Sequence, residues 1–267
     1  MGKNSFILNK VTENCTCENI WRTQMDILYI VIPAYNEEET IHKVLDQWYP
    51  IVEKYDGGGR SRLVVVDDGS RDNTHEILTS YARENPLLVP LTKENGGHGA
   101  AILYGYRYSI EHGADYIFQT DSDGQTLPEE FGQFWQRRKA YDMVIGHRKG
   151  RQDGASRVFV TKMLRLVIRI CFHVTVTDAN TPYRLMRSEA LDASLELIPE
   201  SFNLSNVMIS VIFAKKQLPV RYIPITFRPR QGGVNSINLK KICKIGRQAV
   251  RDFREMNRKL AGAAEKD

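Results

Sequence analysis

Cysteine is scarce in this chain, and long apolar runs are missing. The four cysteines, Cys15, Cys17, Cys171 and Cys243, are too few and too scattered for a disulfide framework, and Cys15 and Cys17 have no second pair to complete a zinc site. No stretch reaches the roughly 18 uninterrupted apolar residues of a membrane-spanning helix, and the N-terminus is polar rather than signal-like. These absences favour a reduced, cytoplasmic protein whose attachment to a membrane, if any, is peripheral.

Three well-known catalytic or phosphate-binding signatures are also missing. The first apolar run is not followed by G-x-G-x-x-G, and neither G-x-x-x-x-G-K-[ST] nor G-x-S-x-G occurs anywhere in the chain. These absences argue against a dinucleotide-dependent oxidoreductase, a P-loop NTPase and an α/β-hydrolase.

The composition is that of a globular protein with a basic end. With 267 residues and 42% hydrophobic content, the chain can bury the core of one large α/β domain, although two smaller units also fit this length. Lysine and arginine number 37 against 32 acidic residues, a net charge of +5. Residues 237–267 hold nine basic and four acidic residues, so they account for the whole excess.

Short apolar runs alternate with helical patterns along the first half of the chain. The run from Ile27 to Ile32 stops at Pro33 and precedes a helical pattern, and similar runs at 63–66, 87–91 and 116–119 each lead into a polar cluster. This alternation predicts a mostly parallel sheet flanked by helices, with ligands bound at the carboxyl ends of its strands. Farther along we predict helices at 158–172, 206–215 and 237–260, and a strand at 220–227.

Each polar cluster has both a chemical and a structural interpretation. Asp121 and Asp123 can bind a divalent cation together with substrate phosphates, or they can cap a helix and face solvent. Asp67 and Asp68 can contact a base or ribose and order their loop, or act only as capping residues. The turn around Gly97 offers backbone N–H groups to phosphate or ribose oxygens, or is simply a flexible turn.

Taken together, the clusters resemble one family. The segments IPAYNEE at 32–38, VDDGSRDNT at 66–74, NGGHGAA at 95–101 and DSDGQ at 121–125 resemble, in order and spacing, the GT-A glycosyltransferases related to dolichol-phosphate mannosyltransferase. The resemblance covers about residues 27–236. It implies an α/β GT-A nucleotide-sugar-binding fold at 26–236. The sequence pattern places an N-terminal extension at 1–25 and a basic amphipathic helix at 237–267 on either side of it.

The resemblance also implies roles for individual residues. It places Mg²⁺ or Mn²⁺ on Asp121 and Asp123 beside the diphosphate, and Gln125 near the sugar or the metal. The nucleotide is expected to contact Pro33, Tyr35, Glu37 and Asp68. Two later segments also resemble the family: DANTPYRL at 178–185 its segment with an Asp before a hydrophobic-Arg pair, and RQGGVNS at 230–236 its acceptor and phosphate loop. Arg184 and Arg230 are expected to bind acceptor or diphosphate charge, Ser236 to bind the acceptor, and Asp178 to be catalytic.

Two departures from the family pattern bear on the acceptor. His98 stands where many relatives have lysine, and Asn203 and Asn206 lie where many sugar-acceptor members carry an acidic base. Asp178 is the only nearby candidate for a base, whereas a phosphate acceptor needs none. We therefore expect inverting transfer of a hexose from a UDP- or GDP-linked sugar to polyprenyl phosphate. The alternatives are transfer to a sugar hydroxyl in lipid-linked or cell-surface glycan synthesis, and, in another class, a nucleotidyltransferase or a nucleotide-sugar binding protein.

The basic end of the chain predicts an amphipathic helix. Its apolar positions follow steps of three and four residues and alternate with cations, as in Ile242, Ile245, Ala249, Phe253, Met256 and Leu260. This face can lie on an anionic bilayer at the inner face of the membrane, or it can pack on the domain. A second cationic set, Arg157, Lys162, Arg165 and Arg169, falls within the helix predicted at 158–172 and just before it. No nucleic-acid-binding module is recognisable, so nucleic acid is not an expected partner.

Overall fold

The computed structural model describes residues 26–148, 154–228 and 250–258, and the side chains of all of these except 154–160. The proposed extension at 1–25, the residues Arg230 and Ser236, and most of the predicted C-terminal helix lie outside this part of the chain.

Strands and helices alternate as the apolar pattern predicts. The strands are β1 (Leu28–Ala34), β2 (Arg62–Asp67), β3 (Leu88–Thr92), β4 (Tyr116–Gln119), β5 (Met143–Arg148), β6 (Arg184–Arg187) and β7 (Val220–Ile225). The helices are α1 (Ile41–Lys54), α2 (Thr74–Glu84), α3 (His98–Glu111), α4 (Phe131–Trp135, after a 3₁₀ turn at Pro128–Glu130), α5 (Gly154–Phe172), α6 (Ser188–Leu195), α7 (Ser205–Lys215) and α8 (250–258). Sequence reasoning missed β5, α4 and α6, whose apolar runs are short.

The seven strands form one sheet in the order β3-β2-β1-β4-β6-β5-β7. Only β6 runs antiparallel to its neighbours β4 and β5; the other pairs are parallel. The prediction of a mostly parallel sheet flanked by helices is therefore confirmed. Because the other six strands share one direction, their carboxyl ends all lie along one edge of the sheet.

The strand β1 continues through Pro33, where the sequence pattern predicted that it would stop. The carbonyl of Val31 accepts a bond from Thr120 N, so the backbone polar groups of Val31 point toward β4. The backbone nitrogen of Pro33, two residues later, points to the same side. The pairing of β1 with β4 ends at Val31 and Gln119. The missing N–H of Pro33 therefore interrupts no hydrogen bond between these strands.

Apolar side chains cover both faces of the sheet, as expected for parallel strands. Leu28, Ile30 and Ile32 pack with α1, α2 and α4 on one face, whereas Tyr29 and Val31 pack with α3, α5, α7 and α8 on the other. Complete burial of each such aliphatic side chain contributes roughly 1.5–3 kcal/mol relative to exposure. The two layers hold the sheet rigidly and leave its carboxyl edge for loops.

The described part of the C-terminal helix packs on the domain. Phe253 and Met256 are buried, and the ring of Phe253 lies 5.4 Å from that of Phe172 at the end of α5. Of the two interpretations of this helix, packing therefore holds for residues 250–258, whose apolar face is not available to a bilayer. Within the described ranges, no helix combines the length and apolar character needed to cross a membrane.

Candidate active site

The four polar clusters meet at the carboxyl edge of the sheet. The loop after β1 bonds to the loop after β2: Asn36 N donates to Ser70 Oγ at 3.0 Å, and Glu37 N donates to Thr74 Oγ1 at 2.9 Å. On its other side, Thr40 Oγ1 lies 3.5 Å from the carbonyl of Ser122 in the loop after β4. The sequence separates these loops by up to 82 residues, and the parallel sheet brings them together.

Asp68 orders the glycine-rich turn that follows β3. Its carboxylate accepts bonds from Gly96 N at 3.0 Å, Gly97 N at 2.7 Å and Lys93 Nζ at 2.8 Å. Only 3% of Asp68 is exposed. The carboxylate thus shapes the turn, and the expectation that Asp68 also contacts the nucleoside stays a prediction.

The glycine-rich turn is packed against the loop before α7. Gly97 has a φ of +87°, which favours glycine. A Cβ on Gly99 would lie 2.6 Å from the carbonyl oxygen of Asn203 and even closer to that of Phe202, both of them backbone atoms. The first turn of α3 and residues 202–203 can therefore approach this closely only because Gly99 has no side chain.

Asp121 and Asp123 lie on the turn that leaves β4. Asp121 Oδ1 lies 3.0 Å from His98 Nε2 at the start of α3, and Asp123 Oδ1 accepts the backbone N–H of Gln125 at 3.1 Å. Asp121 is 24% exposed, so the turn is open to ligands. Within the described ranges, no set of three or more ligating side chains could hold a metal. Two carboxylates alone fit Mg²⁺ or Mn²⁺ when substrate phosphates complete the coordination.

The carboxylates change the electrostatics of His98. Desolvation opposes the charged imidazolium, but the nearby charge and hydrogen bond of Asp121, followed by Asp123 and Asp68, outweigh it and raise the pKa of His98 above its usual value. His98 thus has a raised tendency toward positive charge at the start of α3.

The rim and floor of the site hold the remaining nucleotide candidates. Tyr35 is 43% exposed at the end of β1, whereas Pro33 is buried within that strand. Glu37 is half-buried, and its Oε2 accepts a bond from Thr40 Oγ1 at 2.7 Å. Of the three nucleotide candidates Pro33, Tyr35 and Glu37, Tyr35 is therefore the most open to a ligand.

Gln125 fastens the segment after β7 to the Asp121 turn. Its Nε2 donates to the carbonyl of Arg228 at 2.8 Å, and its own carbonyl accepts Arg228 N at 2.8 Å. Gln125 is 8% exposed. The two bonds hold the chain two residues before Arg230 next to the turn, although Arg230 and Ser236 themselves lie outside the described residues.

Asp178 is held in an ion pair. Both of its oxygens lie 3.1 Å from the guanidinium of Arg148 at the end of β5, and the two side chains are 6% and 11% exposed. The guanidinium also lies over the ring of Phe227, 5.1 Å from its centroid. The structure thus uses Asp178 to join β5 to the loop before β6. Sequence reasoning missed Arg148 because it missed β5, the strand that ends at this residue.

Arg184 is buried at the start of β6, and the expectation that it acts on the acceptor or the diphosphate stays a prediction. Arg184 is fully buried, and its guanidinium donates to the carbonyls of Ala179, Thr181 and Asn206 at 2.7–3.1 Å. Burial lowers the pKa of this group. Arg184 begins β6 and opposes Gln119, the last residue of β4, so its backbone lies at the carboxyl edge of the sheet, but its side chain is buried and bonded to main-chain carbonyls.

Comparison with known proteins agrees with this site. The glycosyl transferase family 2 domain matches residues 29–195. An undecaprenyl-phosphate mannosyltransferase of Micrococcus luteus is 29% identical over 218 residues, covering 78% of this chain and 86% of that protein. An undecaprenyl-phosphate 4-deoxy-4-formamido-L-arabinose transferase of Pseudomonas syringae is 32% identical over 169 residues, 62% of this chain, and the match spans only 49% of that relative.

The fold also matches solved structures. Glucosyl-3-phosphoglycerate synthase from Mycobacterium tuberculosis, in complex with Mn²⁺, UDP-glucose and phosphoglyceric acid, superimposes with a TM-score of 0.64 at 19% identity, covering 87% of this chain and 80% of that one. At this identity the likeness concerns the fold alone, which is the GT-A fold. With the family match over residues 29–195 and the strand-end clusters brought together at one edge, this chain is a member of glycosyl transferase family 2.

Proposed function

We propose that this protein transfers a hexose from a nucleoside diphosphate sugar to polyprenyl phosphate, with inversion at the anomeric carbon and with the assistance of Mg²⁺ or Mn²⁺. The observation that carries the proposal is the convergence of the first motif, the glycine-rich turn and the Asp121 turn at one sheet edge. The two polyprenyl-phosphate transferases among the relatives support the acceptor class.

On the donor side, Asp121 and Asp123 would hold the cation, which when bound would neutralise charge on the departing diphosphate. His98, whose pKa is raised, lies within hydrogen-bond distance of Asp121 at the N-terminus of α3, where the helix dipole also favours negative charge. Tyr35 and Glu37 would line the nucleotide pocket. The N–H of Gly97 already donates to Asp68, so Gly97 would aid binding only by leaving room for the nucleotide, since it has no side chain.

On the acceptor side, a phosphate oxygen attacks the anomeric carbon from the face opposite the diphosphate. The new carbon–oxygen bond forms as the bond to the diphosphate breaks, and the configuration inverts. An anionic phosphate needs no base, which suits a site where Asp178 is paired with Arg148 and where Asn203 and Asn206 carry neutral amides. Arg230 and Ser236 would bind the acceptor phosphate; they follow Arg228, which two bonds to Gln125 hold beside the Asp121 turn.

A donor screen tests this function. The purified protein would be incubated with Mn²⁺, polyprenyl phosphate in detergent, and each of a set of UDP- and GDP-sugars, and release of nucleoside diphosphate would be measured. We expect release with one donor that requires both acceptor and metal, and a product of inverted anomeric configuration by NMR. Release only with glycan acceptors would replace polyprenyl phosphate by a sugar hydroxyl. Pyrophosphate release from a nucleoside triphosphate would indicate a nucleotidyltransferase, and ligand binding without turnover a binding protein.

A further inference from the structure

Helix α5 exposes an apolar stripe. Met163, Leu166 and Ile170 are 42%, 48% and 63% exposed, and they are three of the five exposed large hydrophobic side chains in the described part of the chain. Their spacing of three and four residues places them on one face of the helix. A contiguous apolar stripe on a helix, unlike isolated apolar residues, indicates an interaction surface.

The rest of α5 fixes the direction of this stripe. Ile168 and Phe172 are buried in the core, and Phe172 packs against Phe253 of α8. The helix therefore cannot rotate to bury the exposed residues without removing these two from the core, so the outward orientation of the stripe is a property of the folded domain.

Cations border the stripe. Lys162, Arg165 and Arg169 are exposed on the same helix, whose sequence contains no aspartate or glutamate. Long basic side chains can extend to anionic head groups while neighbouring apolar residues enter the hydrocarbon boundary below. Apolar and cationic residues side by side thus complement an anionic lipid surface in both respects, whereas a purely apolar stripe would fit another protein equally well.

We propose that the exposed face of α5 is a docking surface for an anionic phospholipid bilayer. It takes the role that the sequence pattern predicted for the C-terminal helix, whose Phe253 and Met256 are buried. The proposal deepens the proposed function, on which it rests for its purpose, because a polyprenyl phosphate acceptor lies in a bilayer. Helix α5 also lies next to the site in the chain, between β5 and the loop of Asp178.

Vesicle co-sedimentation of the full chain tests the docking surface. We expect binding to vesicles of equimolar phosphatidylcholine and phosphatidylglycerol, and much less to phosphatidylcholine alone. The triple variant Lys162→Ala/Arg165→Ala/Arg169→Ala should bind about a hundredfold more weakly, at roughly fivefold per cation. The variant Met163→Ser/Leu166→Ser/Ile170→Ser should lose binding by at least about tenfold. The control Lys43→Ala/Lys54→Ala/Arg83→Ala removes three exposed charges from α1 and α2, across the sheet, and should bind nearly as the wild type does.

Two outcomes would overturn the proposal. One is that both α5 variants sediment with anionic vesicles as the wild type does. The other is that the wild type does not bind vesicles but forms a dimer in solution, which the serine variant converts to a monomer of unchanged melting temperature. Failure of the proposed function can be told apart from failure of the docking surface. If the proposed function fails, the donor screen in detergent would show no transfer from any donor, whatever the vesicle result. If the proposed function and the docking surface are both correct, the serine variant transfers normally to a short-chain acceptor in detergent and loses transfer to an acceptor embedded in vesicles.

Discussion

Arg184 joins the loop just before it to a stretch of α7 more than 20 residues farther along the chain. Its guanidinium supplies donors to the carbonyls of Ala179, Thr181 and Asn206, and Ser210 Oγ accepts a further contact at 3.4 Å. A buried charge is tolerated when its donors are satisfied, and arginine presents several donors in a fixed plane. The residue thereby sets the path of the loop that carries Asp178.

We expect Arg184→Met to destabilise the protein by at least about 3 kcal/mol, because it leaves buried carbonyl groups without donors. Urea denaturation followed by circular dichroism measures this loss. The control Arg107→Met removes a partly exposed arginine that lies 3.7 Å from the exposed Glu200, and should cost no more than about 1 kcal/mol. Unchanged stability of Arg184→Met with loss of transfer would support the sequence prediction that Arg184 acts on substrate.

Asp121 and Asp123 are expected to matter for turnover and little for folding. Each of Asp121→Asn and Asp123→Asn should lower transfer on the order of a hundredfold or more, because a lost ligand to a charge-stabilising group costs about as much as a lost oxyanion donor. Stability should change by about 0.5 kcal/mol or less, since both side chains lie on an open turn. Kinetics and thermal unfolding of the same preparations check both parts.

The exposed Asp192 on α6 supplies the matched control: Asp192→Asn should alter neither turnover nor unfolding. Unfolding of the two site variants would indicate a structural role for the carboxylates and contradict the metal assignment.

At the scale of elements, the site depends on the close approach of α3 to the loop before α7. Gly99 allows the first turn of α3 to lie against the carbonyls of Phe202 and Asn203, and Asp68 holds the preceding turn from the other side. The first turn of α3 and residues 202–203 are therefore in direct contact. A shift of α3 should displace both the glycine-rich turn and the loop before α7.

We expect Gly99→Ala to move the start of α3 and to raise the dissociation constant for the donor nucleotide about tenfold or more, because its Cβ would collide with backbone atoms that cannot rotate away. Isothermal titration with nucleoside diphosphate and Mn²⁺ measures the change. Gly132→Ala on α4 is the control, since its Cβ would meet only the hydroxyl of Tyr55 at 3.0 Å. Equal affinities for the two variants would show that the contact is not needed for donor binding.

For the whole molecule, ligand binding should appear as stability. A nucleoside diphosphate at 100 times its dissociation constant adds about 2.7 kcal/mol to the free energy of unfolding. For a domain of this size we therefore expect Tm to rise by about 5–10 °C when Mn²⁺ and the nucleotide are both present. Differential scanning fluorimetry measures the shift, with EDTA and Asp123→Asn as controls. A full shift in EDTA would mean that the nucleotide binds without the cation.

The succession of strands and polar clusters along the chain could be read from the sequence, because each strand and each cluster depends on residues that are neighbours in the chain. Apolar runs form strands, and Asp68, Gly97 and Asp121 follow them within a few residues. The parallel topology then brings these loops to one edge, so the general position of the site also followed. The contact of His98 with Asp121 extends this agreement across 23 residues of sequence.

Only the tertiary structure decided what Arg184, Asp178 and Phe253 do. Their roles depend on partners distant in sequence: Asn206 and Ser210 of α7 accept bonds from the guanidinium of Arg184, Arg148 at the end of β5 binds Asp178, and α5 covers Phe253. A local pattern can show that a helix has an apolar and a basic face, but it cannot show which face the core has already covered. That choice placed α8 against the domain and left the stripe of α5 exposed, because burial depends on packing between elements and not on periodicity within one.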